Sequence, residues 1–282
     1  MVNGAGIEDK YNIISSFSGT LQLYNAKNSL LDTKTKSINK SMTVKEHYDE
    51  HLGYFYSWML GDFSTKANEF KKFLDDNSIS PNTTKIAIDL GAGNGIQSVP
   101  LSEQGFKVIA VDFNEQLLSE LHSNSKKSDI TIINDDIRKV KSFAEHPELV
   151  VCCGDTLSHL DSKQEIETFI SDIAGSLIDK GKVIFSFRDY STALTGADRF
   201  IPVKNDESKI LTCILDYEDD YVFVTDLLYE KTDAGWQQKV STYKKVRLLT
   251  NDIISYLSLN GFSISFNQIV GRLRTIIAIK SQ

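Results

Sequence analysis

Asp112 is the side chain whose neighbours give it the clearest chemical task. It ends the apolar run Val108-Ile109-Ala110-Val111 and lies about one helix downstream of Asp89-Leu90-Gly91-Ala92-Gly93-Asn94-Gly95. A carboxylate at a strand tip can accept both hydroxyls of a ribose. The glycines upstream let the backbone bend sharply and leave bare main chain for a ligand. The stretch 84–112 therefore reads as strand, glycine turn, helix, strand, acid, a unit that suits a nucleoside cofactor. Asp89, Gly91, Ala92 and Gly93 form its expected cradle, and Phe113 an apolar wall for adenine. A G-x-G-x-x-G fingerprint fails because Ile96 fills the slot of the third glycine, and no G-x-x-x-x-G-K-[ST] occurs. An α/β protein with a tight glycine turn and no nucleoside is the alternative.

Other strand ends also carry chemistry. In Asn134-Asp135-Asp136-Ile137 a carboxylate can accept an adenine amino group while Ile137 covers the ring; Asp136 is preferred over Asp135. The alternative is that both acids cap the following turn. Asp155 and His159 lie in Cys153-Gly154-Asp155-Thr156-Leu157-Ser158-His159, and Arg188-Asp189 follows another apolar run. Arg188-Asp189 reads equally as a local ion pair, and His159 as a structural histidine. His47 and His51 share a helix face, but no acid or third histidine stands at matching spacing, so no metal is expected. Tyr54, Tyr56 and Trp58 read as packing rather than as a cation cage.

The elements that position these residues follow from periodicity. Helices are expected over 41–55 and 64–77, where Ala67, Phe70, Phe73 and Leu74 recur at helical spacing. Strands at 86–90, 107–111, 130–134, 148–153 and 182–187 alternate with helices at 96–104, 114–126 and 163–178, which predicts a parallel sheet with helices on both faces. Alternating stretches at 210–217, 221–230 and 236–248 predict an inserted antiparallel hairpin or three-stranded sheet. A helix at 251–259 and strands at 262–268 and 273–279 close the chain. The expected division is an N-terminal arm and helical cap (1–80), a Rossmann-like cofactor core (81–190), the inserted sheet covering the substrate (191–249) and a C-terminal segment completing the core (250–282).

D-L-G-A-G-N-G followed by V-D resembles the first two motifs of class I S-adenosylmethionine methyltransferases. G-D-T-L-S-H-L after the fourth strand and F-S-F-R-D-Y after the fifth are similar to the glycine N-methyltransferase group of small-molecule methyltransferases. The likeness runs loosely from about Tyr54 to the end. It implies S-adenosylmethionine as cofactor, S-adenosylhomocysteine as product and a small-molecule acceptor, with an amine nitrogen preferred over oxygen. It also implies site roles. Lys66 falls where an arginine pairs with the cofactor carboxylate, Asp112 takes the ribose, Asp136 and Ile137 the adenine, and Cys153 or Gly154 the methionyl part. Asp155 falls where the group has an asparagine, Arg188 matches an arginine binding the acceptor carboxylate, Tyr243 lines the acceptor site, and His159 matches the motif's histidine. As a potential anion, Asp155 suits a cationic amine, and Asp155 or His159 is the candidate base. Glycine itself is not expected as the acceptor, because the group's other acceptor-site tyrosines find no match in Ile201-Pro202-Val203-Lys204. A non-catalytic cofactor-binding regulator is the remaining alternative.

A net charge of −7 and no basic stripe argue against a nucleic-acid partner. The three cysteines, two of them adjacent, suggest neither a disulfide framework nor zinc. No membrane span or signal peptide is expected, which reads as a soluble, cytoplasmic protein; homo-oligomerisation is left open.

Overall fold

The structure is a computed structural model that describes residues 42–125 and 128–281. The expected N-terminal arm, and the expected helix end at Lys126, lie outside the described residues.

Seven strands form the main sheet: β1 (Ile86–Leu90), β2 (Lys107–Asp112), β3 (Ile130–Asn134), β4 (Leu149–Cys152), β5 (Lys182–Phe187), β10 (Phe262–Val270) and β11 (Leu273–Lys280). Their order is β10-β11-β5-β4-β1-β2-β3. The first five are parallel, and β11 runs antiparallel to both β5 and β10. The period-2 alternation of each strand feeds two cores. Ile88, Leu90, Val150 and Cys152 face helices Lys163–Ser176 and Thr250–Leu259, whereas Ala87, Leu149 and Val151 face helices Phe63–Asp76 and Ser98–Glu103. The central strands β1, β4 and β5 are covered on both faces and are therefore largely apolar. Reversal of strand order beside β1 puts a crevice beyond the carboxyl ends of β1 and β4, where ligands of such sheets sit.

The inserted sheet has four strands, not three: β6 (Phe200–Asn205), β7 (Lys209–Tyr217), β8 (Tyr221–Thr232) and β9 (Gly235–Val246), all antiparallel. Pro202 hid β6 from the pattern. The strand accommodates it at the sheet edge, beside a register shift between Pro202 and Lys204.

The N-terminal helical segment runs over 44–60, beyond the expected end at Phe55, as Val44–His47, a π-helical turn Tyr48–Leu52 and Gly53–Leu60. Thr43 and Glu46 cap it reciprocally, and Gly61 (φ 98) ends it. Gly53 is required in the wide turn, since a Cβ there would lie 2.7 Å from the Tyr48 carbonyl oxygen. The segment bridges the two sheets. The Met42 N–H donates to Thr242 O of β9 (3.0 Å) and Trp58 Nε1 to Asp206 (2.5 Å), while Asn114 Nδ2 reaches Asp49 and Asn94 Nδ2 reaches Ser57, each at 2.9 Å. No helix among the described residues is long and apolar enough to cross a membrane.

Candidate active site

The glycine turn follows β1, and its glycines serve different ends. Gly91, Gly93 and Gly95 all have positive φ (77°, 52° and 94°). A Cβ on Gly91 would meet the Thr156 side chain at 2.5 Å and one on Gly95 would meet Leu121 at 2.9 Å, so these two permit close packing of the protein on itself. Only at Gly93, 3.7 Å from Tyr56, is there ordinary room. Four of the turn's N–H groups are engaged within the protein. Gly91 and Ala92 donate to Val111 O, Gly93 to Asp112 and Gly95 to Ala92 O.

Gly91→Ala is expected to lower stability by about 2–4 kcal/mol in denaturant unfolding, from left-handed strain of about 1–3 kcal/mol plus the clash with Thr156. Gly196→Ala, at φ 56 with nothing within 4 Å, isolates the strain alone and should cost less.

Asp112 ends β2 and is 8 % exposed. Its Oδ2 accepts the Gly93 N–H and its Oδ1 the Asn114 N–H, both at 2.9 Å. Burial pushes its pKa up, and those two donors oppose the shift. Each oxygen keeps a lone pair for a further donor. Phe113 meets the Tyr48 ring edge-on at 5.6 Å, and Tyr48 meets His159 likewise at 5.6 Å. These residues ring the turn and are only partly buried, and Gly154 is exposed. Asp89 instead lies buried beneath the turn and accepts from Ser98 Oγ at 2.6 Å; burial raises its pKa to about 7.

β4 leads into Gly154 (φ 75) and Asp155 (φ 76), a left-handed pair pinned to β5 because both N–H groups donate to Ser186. Asp155 Oδ1 accepts the Arg188 N–H (2.9 Å), and its Oδ2 accepts Lys245 Nζ (2.7 Å) and lies 3.5 Å from the Tyr190 hydroxyl. Burial pushes the carboxyl up, but Lys245 and then His159 pull it below the usual carboxylate range. Burial lowers the Lys245 ammonium, yet Asp155 raises it further, for a net rise. The site is thus a buried ion pair rather than a lone anion. Sequence reading missed Lys245; its signal was position, two residues from Tyr243 on one face of β9.

Asp155 and His159, the two candidate bases, are both shifted by their surroundings. Asp155 is held as a weakly basic anion. Burial and then Lys245 push His159 down to about 3, and its Nε2 is buried without a partner. Tyr243 is where the acceptor wall was expected, and a network that sequence did not reveal holds it. The His47 ring stacks on Tyr243 at 3.8 Å, and its Nδ1 lies 2.7 Å from Ser241 Oγ and its Nε2 3.3 Å from Asp226. Asp226 and Ser241 sit opposite each other in the β8–β9 register.

Three other expectations change. Lys66 is half-buried and ion-paired with Glu69 at 2.7 Å, with no hydrogen bond or ion pair to the glycine turn among the described residues. Asp136 does what the capping alternative required: it caps the turn Ile137–Ser142 through the Arg138 N–H (3.0 Å) and pairs with the Arg138 guanidinium. Arg188 and Asp189 form no ion pair; Asp189 accepts from Ser191 N–H and Thr250 Oγ1. Cys153 is a buried thiol, pushed up to about 12 by burial. Among the described residues no group of three or more His, Cys, Asp or Glu could hold a metal.

Residues 87–181 match the family described as "Methyltransferase domain". The chain is 24% identical over 156 residues to the glycine/sarcosine N-methyltransferase of Aphanothece halophytica, covering 53% of this chain and 58% of that protein. It spans less than two thirds of such curated relatives, only 35% of a Bacillus subtilis one that is 36% identical over 86 residues. An S-adenosylmethionine-dependent methyltransferase from Clostridium acetobutylicum ATCC 824 superposes at TM-score 0.64 and 16% identity, covering 84% of this chain and 98% of that one. CalS10, an amino pentose methyltransferase from Micromonospora echinaspora, does so at 0.62 and 10%, covering 78% and 92%. Residues 87–181 thus resemble a methyltransferase domain, within a chain that has the fold of class I S-adenosylmethionine-dependent methyltransferases.

Proposed function

We propose that the chain transfers a methyl group from S-adenosylmethionine to a small molecule, at an amine nitrogen. The observation that carries this is Asp112: a strand-tip carboxylate fixed by Gly93 and Asn114, beside Tyr48 and Phe113. The residues fit the cofactor. Asp112 holds the ribose, Phe113 and Ile137 flank the adenine, and the glycine turn with Gly154 receives the methionyl end. Asp136 offers the adenine amino group the lone pairs that Arg138 leaves. Lys66 has no part in this reading, being paired with Glu69. The nitrogen preference draws on the glycine/sarcosine N-methyltransferase relative.

When bound, the cofactor supplies an electrophilic methyl on a sulfonium. The chain's contribution is alignment and exclusion of water, effects worth up to about 7–11 kcal/mol in favourable cases. Tyr243 and Tyr190 wall the acceptor, and Arg188, whose guanidinium forms no ion pair, clamps an acidic group on it. The Asp155–Lys245 pair holds the acceptor loop against β9 without adding net charge. Asp155 is engaged by Lys245 and the Arg188 N–H and burial pushes His159 down, which favours an acceptor that arrives with its lone pair free.

The test is S-adenosylhomocysteine formation across amines, hydroxylated acceptors and carboxylates. Turnover with amines is expected. Turnover confined to oxygen acceptors would replace nitrogen by oxygen, and binding without turnover on any would favour a regulator. The pH dependence of kcat/KM should follow the acceptor amine's own pKa. His159→Gln should leave that inflection in place; a shift would restore His159 as a base.

A further inference from the structure

Beyond the carboxyl end of β5, a cavity of about 370 Å³ opens between the loop 188–194, β7 and the tip of the β10–β11 hairpin. Its charged lining is Arg188, Arg272, Arg274 and Asp189, with Tyr190 and Tyr217 among the remaining walls. Three guanidiniums thus face one carboxylate in a chain of net charge −7. That carboxylate accepts from Ser191 and Thr250 and also feels the Arg274 charge, so one anion is shared among three cations. Among the described residues the arginines that form ion pairs are Arg138 and Arg199, neither of which is here. Arg274 Nε is buried without a partner, and its Nη1 reaches only the Asn267 side chain at 3.5 Å. A fourth cation, Arg247, lies 5.6 Å over the Tyr217 ring and is fixed by the Tyr190 and Glu218 carbonyls. Unpaired guanidiniums held together repel one another, and a planar or tetrahedral anion relieves that repulsion through paired N–H donors. The local positive field also attracts acids to the mouth of an otherwise acidic protein. Tyr190 connects the two regions: it lines the cavity, and its hydroxyl points to Asp155.

We propose that this cavity is a subsite for a dianionic end of the methyl acceptor, a phosphate monoester or a pair of carboxylates. Arg272 and Arg274 of the hairpin select it, in addition to the acid clamp read for Arg188. The assignment to the acceptor rests on the methyltransferase reading above. It makes the terminal hairpin, which lies outside the matched methyltransferase domain, a determinant of substrate choice.

The test titrates the full chain with inorganic phosphate, succinate and acetate at low ionic strength, alongside the Arg272→Gln/Arg274→Gln double variant, and with S-adenosylhomocysteine as a separate titrant. At least one dianion should bind tenfold or more tighter than acetate, and the double variant should lose that preference with S-adenosylhomocysteine affinity unchanged. Phosphate preferred over succinate points to a phosphate monoester, the reverse to a dicarboxylate. Equal binding of dianions and acetate overturns the subsite, as does equal dianion binding by wild type and double variant. Loss of S-adenosylhomocysteine binding in the wild type instead overturns the methyltransferase reading and with it the acceptor assignment. Where the double variant melts early, Arg272→Gln alone, at an exposed position, serves in its place.

Discussion

Asp112→Ala is expected to weaken S-adenosylhomocysteine binding by about two to four orders of magnitude in calorimetric titration. Two ribose hydroxyls bonding one carboxylate are worth about 1.5–3 kcal/mol each, and each 1.4 kcal/mol is a factor of ten. The same substitution strips the acceptor from the Gly93 and Asn114 N–H groups. Each buried donor left unpaired costs about 1–3 kcal/mol, so the alanine variant should also melt early. Asp112→Asn separates the effects. Its amide oxygen still accepts from one of those donors, but its NH₂ cannot accept the hydroxyl that a carboxylate oxygen would. A folded Asn variant with wild-type affinity would remove Asp112 from the site.

Lys245→Met, on β9, should destabilise the fold by about 3–5 kcal/mol, because it leaves the Asp155 carboxylate buried without its counter-ion. Adding Asp155→Asn should restore much of the loss, since an amide needs no counter-charge, and the double-mutant cycle measures the coupling. The sign with pH follows from Asp155 lying below its ordinary value in the folded state. Its contribution is present above the unfolded carboxyl pKa, about 3.9, and is lost as pH falls through the folded value. Without Lys245, burial raises the Asp155 pKa, so the gap between wild type and Lys245→Met should narrow as pH falls and be smallest below about pH 4. A gap that is constant with pH would mean the pair contributes packing and no charge coupling.

The parallel core was legible because a buried parallel strand has no polar face, so 86–90, 107–111 and 182–187 stand out as apolar runs of strand length. Asp112 was legible for a related reason: an acid directly after such a run must emerge at the strand's carboxyl end. β6 was not, because Pro202 argues against a strand unless the edge position is known. The Asp155–Lys245 pair was not, because its members are 90 residues apart and meet only when the inserted sheet folds back over β4 and β5. That contact reverses the electrostatic reading of Asp155. The internal hydrogen bonds of the glycine turn were equally hidden, since G-A-G-N-G does not say whether its N–H groups face a ligand or Val111.

The most direct test of the account is calorimetric titration of the full chain with S-adenosylhomocysteine and with its 2′-deoxyribose analogue, in wild type and in Asp112→Asn. The account predicts that the wild type binds the ribose form about tenfold or more tighter, and that Asn at this position removes the difference. Equal affinity for the two forms in the wild type, or no binding of either, would contradict it.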